Sequence, residues 1–182
     1  MNGTKLPLNR YYLFGALALG GAFADLISKH YVFEWLGMPG PGKIHWVIKD
    51  FFAIETATNP GALFGLGAGY AFVFSGLAVV AIIAIGLWLF AFRAAIDIRL
   101  TVALGVITGG IIGNLYDRLG LWSHSAGLEE PVYQVRDWIL FCYGYDHYRW
   151  PNFNIADCLL FCGACYLFWY SFRYPNGADK ER

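Results

Sequence analysis

The chain alternates long apolar stretches with shorter polar segments. The clearest apolar stretch is residues 68–92, about 25 positions without a charged side chain, which is enough for a helix to cross a hydrocarbon core of about 30 Å. Three further stretches have the same character with a few polar interruptions. The pattern predicts four transmembrane helices, at residues 9–30, 67–92, 99–118 and 155–173.

The two longer connections between these helices are residues 31–66 and 119–154. In the first, residues 44–48 and 51–58 are aromatic and β-branched with partial alternation, which predicts two short strands, and Asn59-Pro60-Gly61 is a turn signal. We therefore predict an all-α membrane protein, four transmembrane helices with a small β element in the first outer loop. The second connection carries tryptophans that suit an interfacial aromatic belt, namely Trp122, Trp138 and Trp150.

Composition agrees with a membrane protein. Of the 182 residues, 58% are hydrophobic and 14% are charged, whereas a typical soluble domain has about 25% charged residues. The formal net charge is zero, so the basic excess typical of nucleic-acid binding is missing and no nucleic-acid partner is expected. We expect one integral membrane domain over residues 1–182.

Basic residues are densest at one set of helix ends, which by the positive-inside rule places both termini in the cytoplasm and both long loops outside. These residues are Lys5, Arg10, Arg93, Arg99, Arg173, Lys180 and Arg182. A positive start, an apolar run and Ala22-Phe23-Ala24 before Asp25 also fit a secretory signal peptide. Because the helical pattern continues and further spanning segments follow, we expect an uncleaved first helix.

The stretch from Gly109 to Arg118 begins as a glycine-rich helix and ends in polar residues. Gly110, Asn114 and Asp117 are spaced i, i+4 and i+7, so they lie on one helix stripe. Polar groups at membrane depth usually face a bundle interior or a functional site. A ridge of small residues on the same helix lets another helix approach closely, namely Gly105, Gly109 and Gly113.

Alternating helix directions bring polar residues of three helices to the outer side of the bilayer. Asp137 lies in the outer loop beside them. Helix caps alone produce such a pattern, and Asp25 with Lys29 fits an ordinary ion pair. Carboxylates and amides gathered at one level are nevertheless a candidate hydrolytic site. The helix residues are Asp25, Asn114, Asp117, Asn154 and Asp157.

Five short motifs follow one another over most of the chain. They are Asp25-x-x-x-Lys29, Asn59-Pro-Gly-Ala-x-Phe64-Gly65, Gly109-Gly110-x-x-Gly113-Asn114-x-x-Asp117-Arg118, Val135-x-Asp137 and Trp150-Pro-x-Phe-Asn154-x-Ala156-Asp157. In their residue types and in their order along the chain, these motifs resemble those of signal peptidase II, the lipoprotein signal peptidase. This is a family of aspartic proteases of the bacterial cytoplasmic membrane.

The resemblance implies that Asp137 and Asp157 are the catalytic pair. It implies as substrate a prolipoprotein whose cysteine bears a diacylglyceryl group, cleaved on the N-terminal side of that cysteine. No cofactor or metal is expected; membrane lipid is the other partner, and we expect a monomer. The implied substrate-binding or supporting residues are Asp25, Lys29, Asn59, Gly110, Asn114, Asp117, Arg118, Asn154 and Ala156.

Two features depart from the family pattern. The spacer from Arg118 to Asp137 is longer, with an insertion around residues 122–131, and the usual Val-Val-Asp-Phe is here Val135-Arg136-Asp137-Trp138. Asp157 is therefore the firmer member of the pair, and Asp117 or Asp146 is the next candidate partner. Peptide hydrolysis without a metal or a covalent nucleophile needs one carboxylate as base and one carboxylic acid as proton donor.

A different function is a four-helix membrane thiol oxidoreductase using Cys162 and Cys165, which form a C-x-x-C. This motif is weak outside its usual soluble context, and small cysteines also simply pack in a helix bundle. A catalytically inactive scaffold or small transporter is a third interpretation. The histidines His30, His45, His124 and His147 lack metal-ligand spacing.

Overall fold

The computed structural model of the chain describes residues 5–61, 67–123, 126–144 and 147–174. Within those ranges the regular structure is four long helices and one small antiparallel sheet. In chain order the elements are α1 (Leu8–Leu36), β1 (Ile44–Ile48), β2 (Phe52–Asn59), α2 (Ala71–Gly86) with a π-helical continuation (Leu87–Ala91), α3 (Ile98–Arg118), β3 (Val135–Tyr143), β4 (Tyr148–Arg149) and α4 (Ile155–Arg173).

Each of the four helices is long and apolar enough to cross a membrane. The predicted bounds of α3 and α4 are confirmed to within one residue, whereas two other bounds were wrong. α1 continues past residue 30 to Leu36 and ends at Gly37, whose φ of 81° lies in the left-handed region and whose N–H donates to the Phe33 carbonyl at 2.9 Å. α2 begins at Ala71, four residues late, because Gly67 and Gly69 before it have φ angles of 72° and 90°.

The backbones of α1 and α3 approach each other closely. A Cβ on Gly109 would lie 3.0 Å from the Ala18 carbonyl oxygen and 3.1 Å from the Gly21 Cα, so the predicted small-residue ridge is confirmed and α1 is its partner. At Gly113 the space of a Cβ is taken by the Asp25 carboxylate. Contact at backbone distance thus brings the polar residues of α1 directly onto the end of α3.

The sheet has the strand order β1-β2-β3-β4. The predicted strands at residues 44–48 and 51–58 are present with a one-residue shift in the second, but the sheet is not built from that connection alone, because β3 and β4 come from the connection between α3 and α4. Arg136 and Asp137 interrupt the apolar pattern of β3, and for this reason the pattern did not predict a strand. In register, Ala57 of β2 lies opposite Asp137.

The prediction of an interfacial aromatic belt is wrong for Trp122. Trp150 is 48% exposed, but Trp122 is 2% exposed. Trp122 is buried because its ring packs at 5.0 Å from the guanidinium of Arg136 and edge-on to Phe33. The connection between α3 and α4 is therefore folded onto the protein where it carries Trp122.

Candidate active site

Lys29 forms the centre of a fully buried polar cluster. Its Nζ lies 2.6 Å from Asp25 Oδ2, 3.1 Å from Asp117 Oδ2 and 3.0 Å from Asn114 Oδ1. The predicted i,i+4 pair of Asp25 and Lys29 is therefore present and belongs to a larger network. A buried lysine is stable only when its charge is paired and its donors are used, and three acceptors meet that need here.

Two asparagines carry this network towards the two candidate catalytic carboxylates. Asn114 accepts from Lys29 through Oδ1 and donates through Nδ2 to Asp157 Oδ1 at 2.9 Å. Asn154 donates through Nδ2 to Asp137 Oδ1 at 2.6 Å and to Asn114 Oδ1 at 3.1 Å. Each aspartate therefore receives a hydrogen bond from an asparagine, and the two asparagines are bonded to each other.

Asp157 lies in the first turn of α4, where its sequence position also makes it part of the helix cap. Its backbone N–H donates to Asn154 Oδ1 at 2.9 Å, and its Oδ2 accepts from the Asn154 N–H at 3.2 Å, which completes a capping box. The alternative that Asp157 serves as a helix-capping residue is therefore confirmed. Capping occupies Oδ2 and fixes the orientation of a carboxylate whose other oxygen is held by Asn114.

Asp137 lies on β3 and is 3% exposed. Burial and, after it, the nearby charge of Asp157 raise the pKa of Asp137 from 3.8 to about 8, although Lys29 and hydrogen bonds from Asn154 and Asn59 act in the opposite direction. Desolvation and a neighbouring carboxylate both disfavour the ionised form. Asp137 is therefore a carboxylic acid that keeps its proton near neutral pH.

Both aspartates line one cavity of about 780 Å³. Asn59, Asn114 and Arg118 lie on its wall with them. The side towards α4 is apolar, with Leu160 and Phe161, and the side towards the sheet includes aromatic residues. The complete lining is Ala57, Thr58, Asn59, Pro60, Asn114, Arg118, Val135, Asp137, Trp150, Pro151, Asn152, Phe153, Asp157, Cys158, Leu160 and Phe161.

Asn59 and Arg118 meet at the predicted turn after β2. Asn59 Oδ1 accepts from the Gly61 N–H at 3.0 Å, so the turn signal is confirmed, and the Arg118 guanidinium donates to the Gly61 carbonyl at 3.3 Å. The positive charge of Arg118 also interacts with Asp157 and Asp137. The motif members Phe64 and Gly65, like the reserve candidate Asp146, lie outside the described residues.

The other predicted site residues lie behind the cavity wall. Asp25 Oδ1 accepts from the Ala156 N–H at 2.9 Å, which joins α1 to the first turn of α4. Gly110 contacts the same turn, since a Cβ there would lie 2.5 Å from the Ala156 carbonyl oxygen. These residues set the positions of the cavity-lining residues and do not line the cavity. The set behind the wall is Asp25, Lys29, Gly110, Asp117, Asn154 and Ala156.

Arg136 belongs to the site and was not predicted. It is 5% exposed, and its side chain and backbone N–H donate to both oxygens of Asp117. The signal was present as a departure from the family pattern, a charged residue next to Asp137 in an otherwise apolar strand. Sequence alone did not show that the charge has a buried partner 19 positions earlier.

The cysteines lie apart from the carboxylates, except for Cys158 on the cavity wall. Cys162 and Cys165 are exposed free thiols on α4, and Cys162 lines a separate groove against α3. Across the described ranges, no group of three His, Cys, Asp or Glu side chains is arranged to hold a metal ion. His124 falls outside those ranges.

Two carboxyl groups line one cavity at the end of a four-helix apolar bundle, which is an arrangement expected of a membrane hydrolase. Residues 17–173 match the family model described as signal peptidase (SPase) II. A lipoprotein signal peptidase of Rhodopirellula baltica is 52% identical over 179 residues, 98% of this chain and 80% of that protein. The chain therefore belongs to the signal peptidase II family, as the resemblance implied, and is a bacterial multi-pass membrane peptidase.

Further relatives agree. A lipoprotein signal peptidase of Syntrophus aciditrophicus is 34% identical over 169 residues, covering 90% of this chain and 92% of that protein. A solved bacterial membrane enzyme structure at 2.3 Å resolution has the same fold, with a TM-score of 0.72, 23% identity and coverage of 100% and 98%. Neither the family nor these relatives support the thiol oxidoreductase alternative.

Proposed function

We propose that the protein removes the signal peptide from diacylglyceryl-modified prolipoproteins by hydrolysing the bond N-terminal to the lipidated cysteine. Membership of the signal peptidase II family and the names of its relatives support this substrate. The apolar wall formed by Leu160 and Phe161 beside the two aspartates suits a substrate that carries lipid. Asp137 and Asp157 on the same cavity are the observation that carries the proposal.

The two aspartates have different surroundings and are assigned different roles. Asp137 keeps its proton because burial and the charge of Asp157 raise its pKa to about 8, so it is the acid that protonates the carbonyl oxygen. Asp157 accepts hydrogen bonds on both oxygens from Asn114 and Asn154 and lies at a helix N-terminus, which stabilises negative charge. Asp157 is therefore the base that takes a proton from water.

The reaction balances with these two groups alone. Water oxygen bonds to the carbonyl carbon as Asp157 takes its proton and Asp137 gives its own to the carbonyl oxygen. The tetrahedral intermediate then breaks the C–N bond: the nitrogen leaves with the proton from Asp157, and Asp137 recovers a proton from the hydroxyl. Asn59 and Arg118, both on the cavity wall, hold backbone carbonyls of the extended substrate.

The arrangement in the membrane is part of the same proposal. Both termini lie in the cytoplasm, and the aspartate pair faces the outer side of a bacterial cytoplasmic membrane, because the basic helix-end residues favour that orientation. The chain acts as one domain and as a monomer, with its sheet on the outer side. The buried network around Lys29 braces the pair from behind.

The test is a gel-shift cleavage assay on a diacylglyceryl-modified prolipoprotein in detergent. Asp137→Asn and Asp157→Asn are each expected to lower kcat by more than about a thousandfold, since a general acid or base contributes about 10² to 10⁴ and the two act as a unit. Asp97→Asn, the same change at a buried aspartate off the cavity, is the matched control and keeps activity.

Two outcomes would contradict the assignment. Full activity of Asp137→Asn would remove it from the pair and make Asp117 or Asp146 the next candidate. Loss of cleavage in the double variant Cys162→Ser, Cys165→Ser, with the Asn variants active, would move the chemistry to the thiols. A folded parent protein that never cleaves this substrate would defeat the proposal itself.

A further inference from the structure

Arg136 immediately precedes Asp137 on β3 and is tied to the end of α3. Its Nε and Nη2 donate to Asp117 Oδ1 at 3.1 and 2.7 Å, and its backbone N–H donates to Asp117 Oδ2 at 3.0 Å. Three donors of Arg136 thus bind the single carboxylate of Asp117. Two guanidinium donors on one oxygen and the backbone N–H on the other fix the orientation of Arg136 as well as its distance from Asp117, so β3 is attached to α3 at the position next to Asp137.

A second tie reaches the same peptide from α4. Asn154 Nδ2 donates to the Arg136 carbonyl oxygen at 3.3 Å and to Asp137 Oδ1 at 2.6 Å. The Arg136–Asp137 peptide is consequently held from α3 on one side and from α4 on the other. The direction of the Asp137 carboxyl follows from these two attachments.

Aromatic rings from α1 and from the connection after α3 lie against the guanidinium. Trp122 and Phe33 place their rings 5.0 and 5.9 Å from the Arg136 Cζ, and Trp122 is 2% exposed. Ser123, next in the chain, accepts from the Val132 N–H at 2.8 Å and closes this connection on itself. Arg136 is therefore desolvated between aromatic faces, and its charge is directed to Asp117 alone among the ion pairs of the described residues.

Charge balance gives the pair a further role. In the described part of the chain, the buried cluster contains two carboxylates, Asp25 and Asp117, and two cations, Lys29 and Arg136. Lys29 is shared between the two aspartates, so Arg136 supplies the second positive charge. An unbalanced buried charge is costly, so the stability of the cluster depends on a positive charge at residue 136.

We propose that Arg136 is a positioning residue for the reaction: through Asp117 and Trp122 it aims the carboxyl group of Asp137 at the substrate carbonyl. The inference rests on the proposed function. Because Arg136 does not line the cavity, it acts on the chemical step and leaves substrate binding unchanged.

The test compares Arg136→Lys with the parent protein in the prolipoprotein cleavage assay. Because lysine keeps the positive charge, the apparent Tm in detergent is expected to stay close to the parental value. The paired guanidinium donors to Asp117 are lost. A small misplacement of a reacting group costs up to about a hundredfold; kcat is expected to fall about 10- to 100-fold, with KM within about twofold. Arg149→Lys is the matched control, an arginine of the same sheet paired with Glu55, and keeps kcat.

Trp122→Phe is the second variant, because it retains Arg136 and changes only its packing; a smaller loss of kcat in the same direction is expected. The inference is overturned if Arg136→Lys has the parental kcat, if its kcat falls only as far as the folded fraction falls, or if KM rises while kcat is unchanged. Failure of the parent protein to cleave is a separate result, which defeats the proposed function instead.

Discussion

Each end of the helix bundle buries an aspartate, and the two aspartates have different surroundings. Asp97 caps α3, accepts from the Arg99 N–H at 2.8 Å and from the Tyr170 hydroxyl at 2.6 Å, and is 8% exposed. Asp137, at the other end, is 3% exposed and shares a cavity with Asp157. Burial alone therefore does not distinguish a structural carboxyl group from the one that we propose to be catalytic.

The difference lies in what surrounds each carboxyl group. The partners of Asp97 come from the start of its own helix and from Tyr170 of α4, and together they close a helix junction. Asp137 faces open volume and a second carboxylate, so its proton is available to a bound molecule. A perturbed acid in a cavity with a second titratable group is the arrangement that acid–base catalysis requires.

The largest expected effect is a loss of folding stability when Lys29 is replaced. Lys29→Met leaves the Asp25 and Asp117 carboxylates at 0% exposure without their shared cation. Removing one partner of a buried ion pair costs about 3–5 kcal/mol. We expect a large fall in apparent Tm in detergent, together with loss of cleavage.

Lys49→Met is the control, because Lys49 is exposed and exposed substitutions usually change stability by less than about 0.5 kcal/mol. A Lys29→Met protein with the parental Tm would mean that the buried cluster contributes little to stability. The bracing role given to Asp25 and Asp117 would then have to be withdrawn.

The next largest expected effect is a pH dependence of cleavage that comes from Asp137. Asp137 must be protonated to act as the acid, and burial with the Asp157 charge places its pKa at about 8. Cleavage is therefore expected to fall about tenfold per pH unit above pH 8, the limiting slope for one essential acid. The measurement is kcat against pH in detergent; a rate independent of pH up to 10 would contradict the acid role.

Stability gives an independent measure of the same proton. The pKa of Asp137 is raised in the folded state, so the folded protein binds the extra proton between pH 3.8 and about 8. The favourable contribution of this proton to the free energy of unfolding is complete below about pH 4 and is lost as pH rises through 8, at up to about 1.4 kcal/mol per pH unit. Asp137→Asn has no such proton, so its apparent Tm should depend less on pH than that of the parent.

The sequence predicted the helices well because stretches of about twenty predominantly apolar residues are typical of membrane-spanning helices. It placed the end of α1 and the start of α2 wrongly, since those depend on the conformation of Gly37, Gly67 and Gly69. It also missed β3, where Arg136 and Asp137 interrupt the apolar pattern. A strand whose charged residues are buried against distant partners cannot be recognised from local alternation.

The candidate site divides in the same way. Spacing placed Gly110, Asn114 and Asp117 on one helix stripe, and the family motifs selected the remaining residues. Neither indicated which of them face the cavity and which lie behind it. That division depends on packing between α1, α3 and α4. One such contact is the hydrogen bond from the Ala156 N–H to Asp25, which joins residues 131 positions apart in the chain and therefore leaves no local sequence signal.

The smallest effect is expected at the structural end. Tyr170→Phe removes the hydroxyl that donates to Asp97 Oδ2 at 2.6 Å and leaves the Arg99 N–H bond to Asp97 Oδ1 in place. A single hydrogen bond contributes about 1 kcal/mol, so apparent Tm should fall by a few degrees. Because Tyr170 and Asp97 lie at the opposite end of α3 from Asp117, kcat and its pH dependence should match the parent's. A change in the pH profile of Tyr170→Phe would mean that the two ends are coupled through α3, and the separation between a structural and a catalytic aspartate would no longer hold.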